Sequence, residues 1–114
     1  MHYFDHEKLD CHRVAMQALV LIDKIARSLP RGYGNLKDQM QRASQSVVLL
    51  IAEASARSGA DRAMRFKMSR AEASEAGCAL EAAQKLRIAN LADCNEAREL
   101  LLRVCAMLSP LTKT

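Results

Sequence analysis

Three histidines near the start of the chain, His2, His6 and His12, are the residues that could most simply hold a metal. His2 and His6 have the four-residue spacing that places two imidazoles on one face of a helix, as zinc ligands often are. No third ligand follows close by in the sequence. We therefore expect no metal site and no other cofactor.

Nucleophilic chemistry has even less support in the sequence. The serines at positions 44, 46 and 69 have no histidine near them that could serve as a base. The segment RGYG at 31–34 lacks the lysine and the serine or threonine of a phosphate-binding loop. We expect no catalytic residues, and hence a protein that is not an enzyme.

Glu53 is a carboxylate that follows an unbroken apolar run, Val47 to Ala52. Arg57 comes four residues later, and glutamate before arginine is the favourable order for a pair on one helix. We predict that Glu53 pairs with Arg57 or with a base of a neighbouring subunit.

Glu75 shares a helical stripe with Met64 and Met68 that otherwise has the pattern of a core face. A buried carboxylate must find a hydrogen-bond donor or a cation, and Arg42 is a candidate. Alternatively, the stripe lies at the edge of the folded domain and Glu75 is half exposed.

The four cysteines, at positions 11, 78, 94 and 105, have no C-x-x-C spacing and fall in predicted helices. Reduced, buried thiols are therefore expected.

Positive charge is concentrated in the middle of the chain. Residues 31–70 hold eight bases and three acids, and the 114 residues together have a net charge of +4. Such a segment indicates either an anionic partner such as nucleic acid or a solvated face. Between Arg57 and Lys67, Phe66 is the one aromatic residue among the bases, and so base stacking is not expected. The bases predicted to contact phosphates are Lys37, Arg42, Arg57, Arg62, Arg65 and Lys67.

The elements that must position these residues are helices, because strong helix formers dominate and the chain has only 4 Gly and 2 Pro. Apolar spacing and breaks predict helices at about 5–28, 35–57, 60–89 and 94–109. Asn35 and either Asp93 or Asn95 are the predicted N-caps. We predict an all-α, up-down-up-down four-helix bundle that forms a single domain over residues 1–114.

The second predicted helix is apolar on all sides between Val47 and Ala52. One side should face the core, and the other needs a cover that a neighbouring subunit would provide. We therefore predict a homo-oligomer with an interface at Val48, Leu49, Ala52 and Glu53. The alternative is that this helix is the most central one.

No apolar run reaches the roughly 20 residues of a membrane span. The segment MHYFDHEKLD contains no apolar stretch of the kind that signal peptides have. We expect a cytoplasmic protein that does not bind membranes.

Four stretches of the chain resemble one protein family: HEKLDCHRVA at 6–15, LPRGYGNLKDQMQRASQSV at 29–47, LLIAEASAR at 49–57 and ADRAMRFKMSRAEASEAGCAL at 60–80. The likeness is to the four-helix-bundle proteins encoded by intervening sequences in bacterial large-subunit ribosomal RNA genes. The chain departs from the family pattern at His12, Leu50, Ala54 and Glu72, where the family usually has Tyr, Asn, Gly and Ser.

This resemblance implies a ring-shaped homopentamer of four-helix bundles. A related branch, the accessory variability protein of diversity-generating retroelements, is a basic pentamer that binds nucleic acid and associates with a reverse transcriptase. By resemblance, the chain would be an accessory protein that contacts RNA or DNA phosphates, with a reverse transcriptase as a candidate partner. The alternative is a structural or protein-docking scaffold, which would lack salt-dependent nucleic-acid binding.

Overall fold

The fold consists of helices joined by short turns. The structure is a computed structural model, and it describes residues 2–113. The α-helices are α1 (Asp10–Ser28), α2 (Gly34–Ser55), α3 (Gly59–Lys85) and α4 (Leu91–Leu108). Short 3-10 helices occupy Asp5–Lys8 and Ser109–Thr112. No strand occurs between residues 2 and 113. The prediction of an all-α chain with four helices is thus confirmed.

Three helix starts differ from the sequence prediction. α1 begins at Asp10 rather than near residue 5, because Leu9 is extended, with φ −94° and ψ 126°. α2 begins at Gly34, so that Asn35 lies inside the helix instead of capping it. α4 begins at Leu91, where the Asn90 side chain accepts a hydrogen bond from the Asp93 backbone N–H at 2.9 Å. Asn90 is therefore the N-cap, rather than Asp93 or Asn95.

α3 ends at Lys85, four residues before the predicted end at 89. Arg87 has a φ of 59°, the left-handed conformation in which many helices terminate. The Ile88 N–H then bonds back to the carbonyl of Ala83 at 3.1 Å. This closing turn satisfies helix carbonyls that would otherwise lack a donor.

Each helix packs against two others: α2 lies between α1 and α3, and α4 lies against both α1 and α3. The core draws on all four helices, and its largest fully buried side chains include Phe66, Ile22, Ile51, Leu80 and Leu108. No helix within the described residues is long and apolar enough to cross a membrane.

Neighbouring helices run antiparallel, as the contacts between them show. Gln41 of α2 donates to Asp23 of α1 at 3.2 Å, and Gln84 of α3 donates to Asn95 of α4 at 2.8 Å. The start of α1, the end of α2 and the start of α3 consequently share one end of the bundle. We call this the Arg57 end, and we call the opposite end, at the α1–α2 turn, the Tyr33 end.

Candidate functional site

The boundary between α2 and α3 contains most of the residues that the sequence singles out. The buried Ser69 hydroxyl donates to the carbonyl of Val47 at 2.9 Å and joins the two helices near their middle. Arg65 Nη1 lies 2.9 Å from Glu53 Oε2, nearer the Arg57 end. Between these two contacts, the antiparallel register brings Leu49 of α2 beside Met68 of α3.

Glu53 pairs with Arg65, and the predicted pair of Glu53 with Arg57 is wrong. α2 ends at Ser55, so Arg57 lies beyond the helix and loses the four-residue helical geometry that the prediction assumed. Arg57 Nη1 instead lies 3.6 Å from Asp61 Oδ2, and Arg65 Nε lies 3.1 Å from the other Asp61 oxygen. Two arginines and two carboxylates thus form one network at the Arg57 end.

Arg42 provides the cation that the sequence analysis proposed for Glu75, with Nη2 at 2.5 Å from Glu75 Oε1. Glu75 is half-buried, which agrees with the alternative that it lies half exposed at the edge of the domain. Arg42 Nη1 is also 3.8 Å from Glu72 Oε2, a buried oxygen that accepts no hydrogen bond. Burial raises the pKa of Glu72, the charge of Glu75 raises it further, and Arg42 opposes both effects. The site therefore holds two carboxylates against one guanidinium.

The six bases predicted to contact phosphates do not form one continuous surface. Lys37 lies at the Tyr33 end, and Arg42 is midway along α2 in its ion pairs with Glu75 and Glu72. Arg57, Arg62 and Arg65 gather at the Arg57 end, and Lys67 is exposed on α3.

Acidic neighbours offset part of this positive charge. Within residues 2–113, three of the six bases form ion pairs: Arg42, Arg57 and Arg65. Arg62 has no carboxylate partner in this range; its guanidinium carbon lies 4.8 Å from the centroid of the Phe66 ring. Arg62 Nη1 also donates to the Ala54 carbonyl at 3.4 Å.

The predicted interface on α2 divides between core and surface. Val48 is 5% exposed and belongs to the bundle core, because α2 packs on α1 and α3 and needs apolar residues toward both. The placement of Val48 on an outer face is therefore wrong. Leu49 is 61% exposed and Glu53 is exposed, while Ala52 is half-buried. The central-helix alternative accounts for most of the apolar run, and Leu49 remains as its exposed member.

A second exposed apolar surface lies on α3, where the sequence suggested a core stripe. Met64 is 52% exposed and Met68 46% exposed, so their assignment to the core was wrong. The exposed residues of this helix at three- and four-residue spacing include Lys67, Ala71, Ser74 and Cys78. We call these four residues, together with Met64, Met68 and the adjacent Leu49, the α3 outer face. Lys67 is the one charged member.

Alanine and serine on the inner side of α3 explain why sequence reasoning missed this face. The buried residues of α3 include Phe66, Ser69, Ala73, Ala76 and Leu80. Alanine and serine carry a weak apolar signal, whereas the methionines carry a strong one. The useful signal is that Met68, Ala71, Ser74 and Cys78 follow one another at three- and four-residue steps without a charge, where a solvated helix face would be charged.

The cysteines are all free thiols, and one departs from the prediction. Cys11 and Cys94 are buried and Cys105 is half-buried, and burial raises the pKa of all three thiols. Cys78 is exposed. It borders an open groove of about 300 Å³ between α3 and α4, which Gly77 and Leu102 also line.

Two of the three serines considered as nucleophiles, Ser44 and Ser69, are held in structural contacts. Ser44 is buried and its hydroxyl donates to the Met40 carbonyl at 2.8 Å, as Ser69 does to Val47. In the part of the chain that the structure describes, no three His, Cys, Asp or Glu residues are grouped so that they could hold a metal ion.

The helices and their antiparallel order define a small four-helix bundle. Over residues 7–110 the chain matches the family model of the 23S rRNA-intervening sequence protein. The chain therefore belongs to the 23S rRNA-intervening sequence protein family. No curated protein matches it.

Proposed function

We propose that this protein is a non-enzymatic accessory protein that assembles into a homo-oligomeric ring and binds the phosphates of RNA or DNA. The nucleic-acid partner comes from the resemblance to the accessory variability protein of diversity-generating retroelements. The ring form and a count of five subunits come from the family resemblance.

The α3 outer face supports self-association. Leu49, Met64 and Met68 are each about half exposed or more. Met64 and Met68 share one side of α3, and the antiparallel register places Leu49 of α2 at the level of Met68. Soluble monomers seldom expose contiguous large apolar side chains. The ion pairs of Glu53 with Arg65 and of Glu75 with Arg42 border the apolar residues on two sides, as polar groups do at the rim of a protein interface.

Bases without acidic partners support phosphate binding, and this observation carries the proposed function. Within residues 2–113, Lys37, Arg62 and Lys67 form no ion pair, and the net charge of the whole chain is +4. A ring repeats these charges in each subunit, and therefore modest affinities add along one nucleic-acid strand.

Binding to labelled RNA and DNA at two salt concentrations tests the proposal. Each phosphate contact adds about 0.7 to 0.9 to the slope of log affinity against log salt concentration. Lys37→Gln combined with Lys67→Gln should therefore lower this slope by about one unit or more per bound subunit. Lys24→Gln is the matched control, because Lys24 lies 3.4 Å from Asp93 and its charge is already offset.

An absence of binding at about 50 mM salt, where phosphate contacts are strong, would refute the phosphate-binding proposal. A slope that the Lys37 and Lys67 changes leave unaltered would show that these residues do not contact phosphates.

A structural or protein-docking scaffold is the second candidate, and the α3 outer face is the observation that favours it. Oligomers that form without any affinity for RNA or DNA would support this function.

The resemblance to the retroelement accessory protein adds a reverse transcriptase to the proposal as a protein partner. Retention of such an enzyme on the immobilised protein tests that partnership, and its absence from the bound fraction would contradict it.

A further inference from the structure

Aromatic rings form a column at the Arg57 end that the phosphate-binding proposal does not use. The Phe4 ring stacks on His6 with centroids 5.6 Å apart and an interplanar angle of 8°. His6 in turn packs on His12, with centroids 4.6 Å apart and an angle of 57°. Tyr3, which precedes Phe4 in the chain, is also exposed. Residues 2–12 thus hold all three histidines and two of the four Phe and Tyr residues of the chain.

The column is anchored on the bundle at one side and open at the other. His12 is half-buried on α1, within the first turn of that helix. Backbone bonds fix the preceding segment: the Glu7 N–H donates to the Phe4 carbonyl at 3.0 Å, and the Leu9 N–H to the His6 carbonyl at 3.1 Å. Phe4, the outer ring, is 71% exposed. The outer ring of a fixed column is therefore available to a further planar group.

Positive charge lies next to this column. The 3-10 helix Asp5–Lys8 contacts α2, whose C-terminus leads into Arg57. Burial raises the pKa of the Cys11 thiol, and Arg62 lies near enough that its charge opposes the shift. Asp5 and Glu7 make the segment itself acidic. The positive charge available to a ligand therefore comes from Arg62, which has no carboxylate partner within residues 2–113, and from Arg57, whose charge Asp61 offsets in part. The segment itself contributes aromatic ring faces.

An exposed aromatic face at the same end of the bundle as a guanidinium suits one ligand chemistry, an unpaired nucleobase with its phosphate. Stacking of a base on an exposed aromatic side chain contributes about 1–3 kcal/mol and tolerates any base. Bases inside a duplex are stacked on each other, and so they offer no free face to such a ring.

We propose that this column binds single-stranded RNA or DNA, with an unpaired base stacked on Phe4 or Tyr3 and the adjoining phosphates contacted by Arg62 and Arg57. The inference rests on the proposed function and adds a strand preference to it. It also revises the sequence-based expectation that bases do not stack on this protein. That expectation considered Phe66, the aromatic residue among the bases between Arg57 and Lys67, and Phe66 is buried.

Anisotropy measurements with a labelled short oligouridylate, an oligothymidylate and a mixed-sequence DNA duplex test the inference. Tyr3→Leu combined with Phe4→Leu removes two ring faces and keeps the side chains apolar. Affinity for both single strands should fall by roughly 5- to 150-fold, while affinity for the duplex stays the same. Tyr33→Leu, at the opposite end of the bundle, is the matched control and should leave all three affinities unchanged. Circular dichroism should show unaltered helicity, because Tyr3 and Phe4 are exposed and lie outside the α-helices.

The outcomes separate this inference from the proposed function. If the double variant binds the single strands as tightly as the unaltered protein, the column does not stack on bases and phosphate binding stands. If the double variant weakens single-strand and duplex binding equally, the proposed stacking of bases on the column is likewise overturned. A failure of the unaltered protein to bind any of the three probes overturns both.

Discussion

Replacing Leu49 and Met68 together by glutamine should weaken self-association and leave the bundle intact. The two side chains are 61% and 46% exposed in the single chain. Full burial of a leucine or methionine side chain contributes about 1.5–3 kcal/mol, and so burial of the exposed half contributes about 1 kcal/mol or slightly more. The pair then stabilises each subunit contact by roughly 2–3 kcal/mol, equivalent to about a 30- to 150-fold change in dissociation constant.

Glutamine suits this test because it is long, uncharged and a good helix former. Substitutions at exposed positions change the free energy of unfolding by about 0.5 kcal/mol or less, and the thermal midpoint should hardly move. Sedimentation velocity over a range of protein concentrations measures the shift from oligomer to monomer.

Val20→Gln is the matched control for this pair. Val20 is 71% exposed on α1, a helix that does not pack against α3. Two results would refute the assignment of the α3 outer face as the subunit interface. One is a double variant that sediments like the unaltered protein at every concentration, and the other is a Val20 variant that dissociates equally.

Three further predictions concern single residues. Because burial and Glu75 raise the pKa of Glu72, the folded state holds the Glu72 proton to a higher pH than the unfolded chain does. Stability should thus fall as pH rises between the two pKa values, and Glu72→Gln should raise the thermal midpoint near neutral pH but not below about pH 4. Asn90→Ala removes the cap of α4 and should lower the free energy of unfolding by about 1 kcal/mol, which a urea titration measures; an unchanged midpoint would show that the cap contributes little. Cys78 should react with a chromogenic disulfide reagent well before the buried Cys11 and Cys94. Assembly through the α3 outer face should slow that reaction, and equal Cys78 rates in oligomer and monomer would contradict burial of the face.

Sequence patterns predicted the helices well because two of the three breaks between them have a strong local cause. Pro30 and Gly32 follow the end of the first helix, Ser58 lies in the turn between the second and the third, and Gly59, with a φ of 59°, begins α3. The end of α3 was harder to predict from the sequence. Arg87 adopts a left-handed conformation that is uncommon for residues other than glycine, and no local sequence pattern indicates it.

The candidate site was harder to predict because it depends on which helices are neighbours. The pairing of Arg42 with Glu75 follows from the antiparallel register of α2 and α3, and the sequence offered it as one of two alternatives. The pairing of Glu53 with Arg65 spans the same two helices, and a rule based on spacing within one helix favoured Arg57 instead. Spacing within a helix does not specify which residue of another helix faces it.

The alanines on the inner side of α3 have a consequence for which substitutions the bundle can accept. Ala73, Ala76 and Ala83 are buried almost completely, and α3 presents methyl groups where many bundle helices present leucine. In a leucine-rich core, the neighbouring side chains can rotate and make room for a larger side chain. An alanine has no side-chain torsion that could make such room, so a valine at position 76 would have to shift a helix backbone. We expect natural variants to conserve side-chain size at these positions more strictly than at Phe66 or Leu80, and library selections for added stability to succeed mainly elsewhere in the chain.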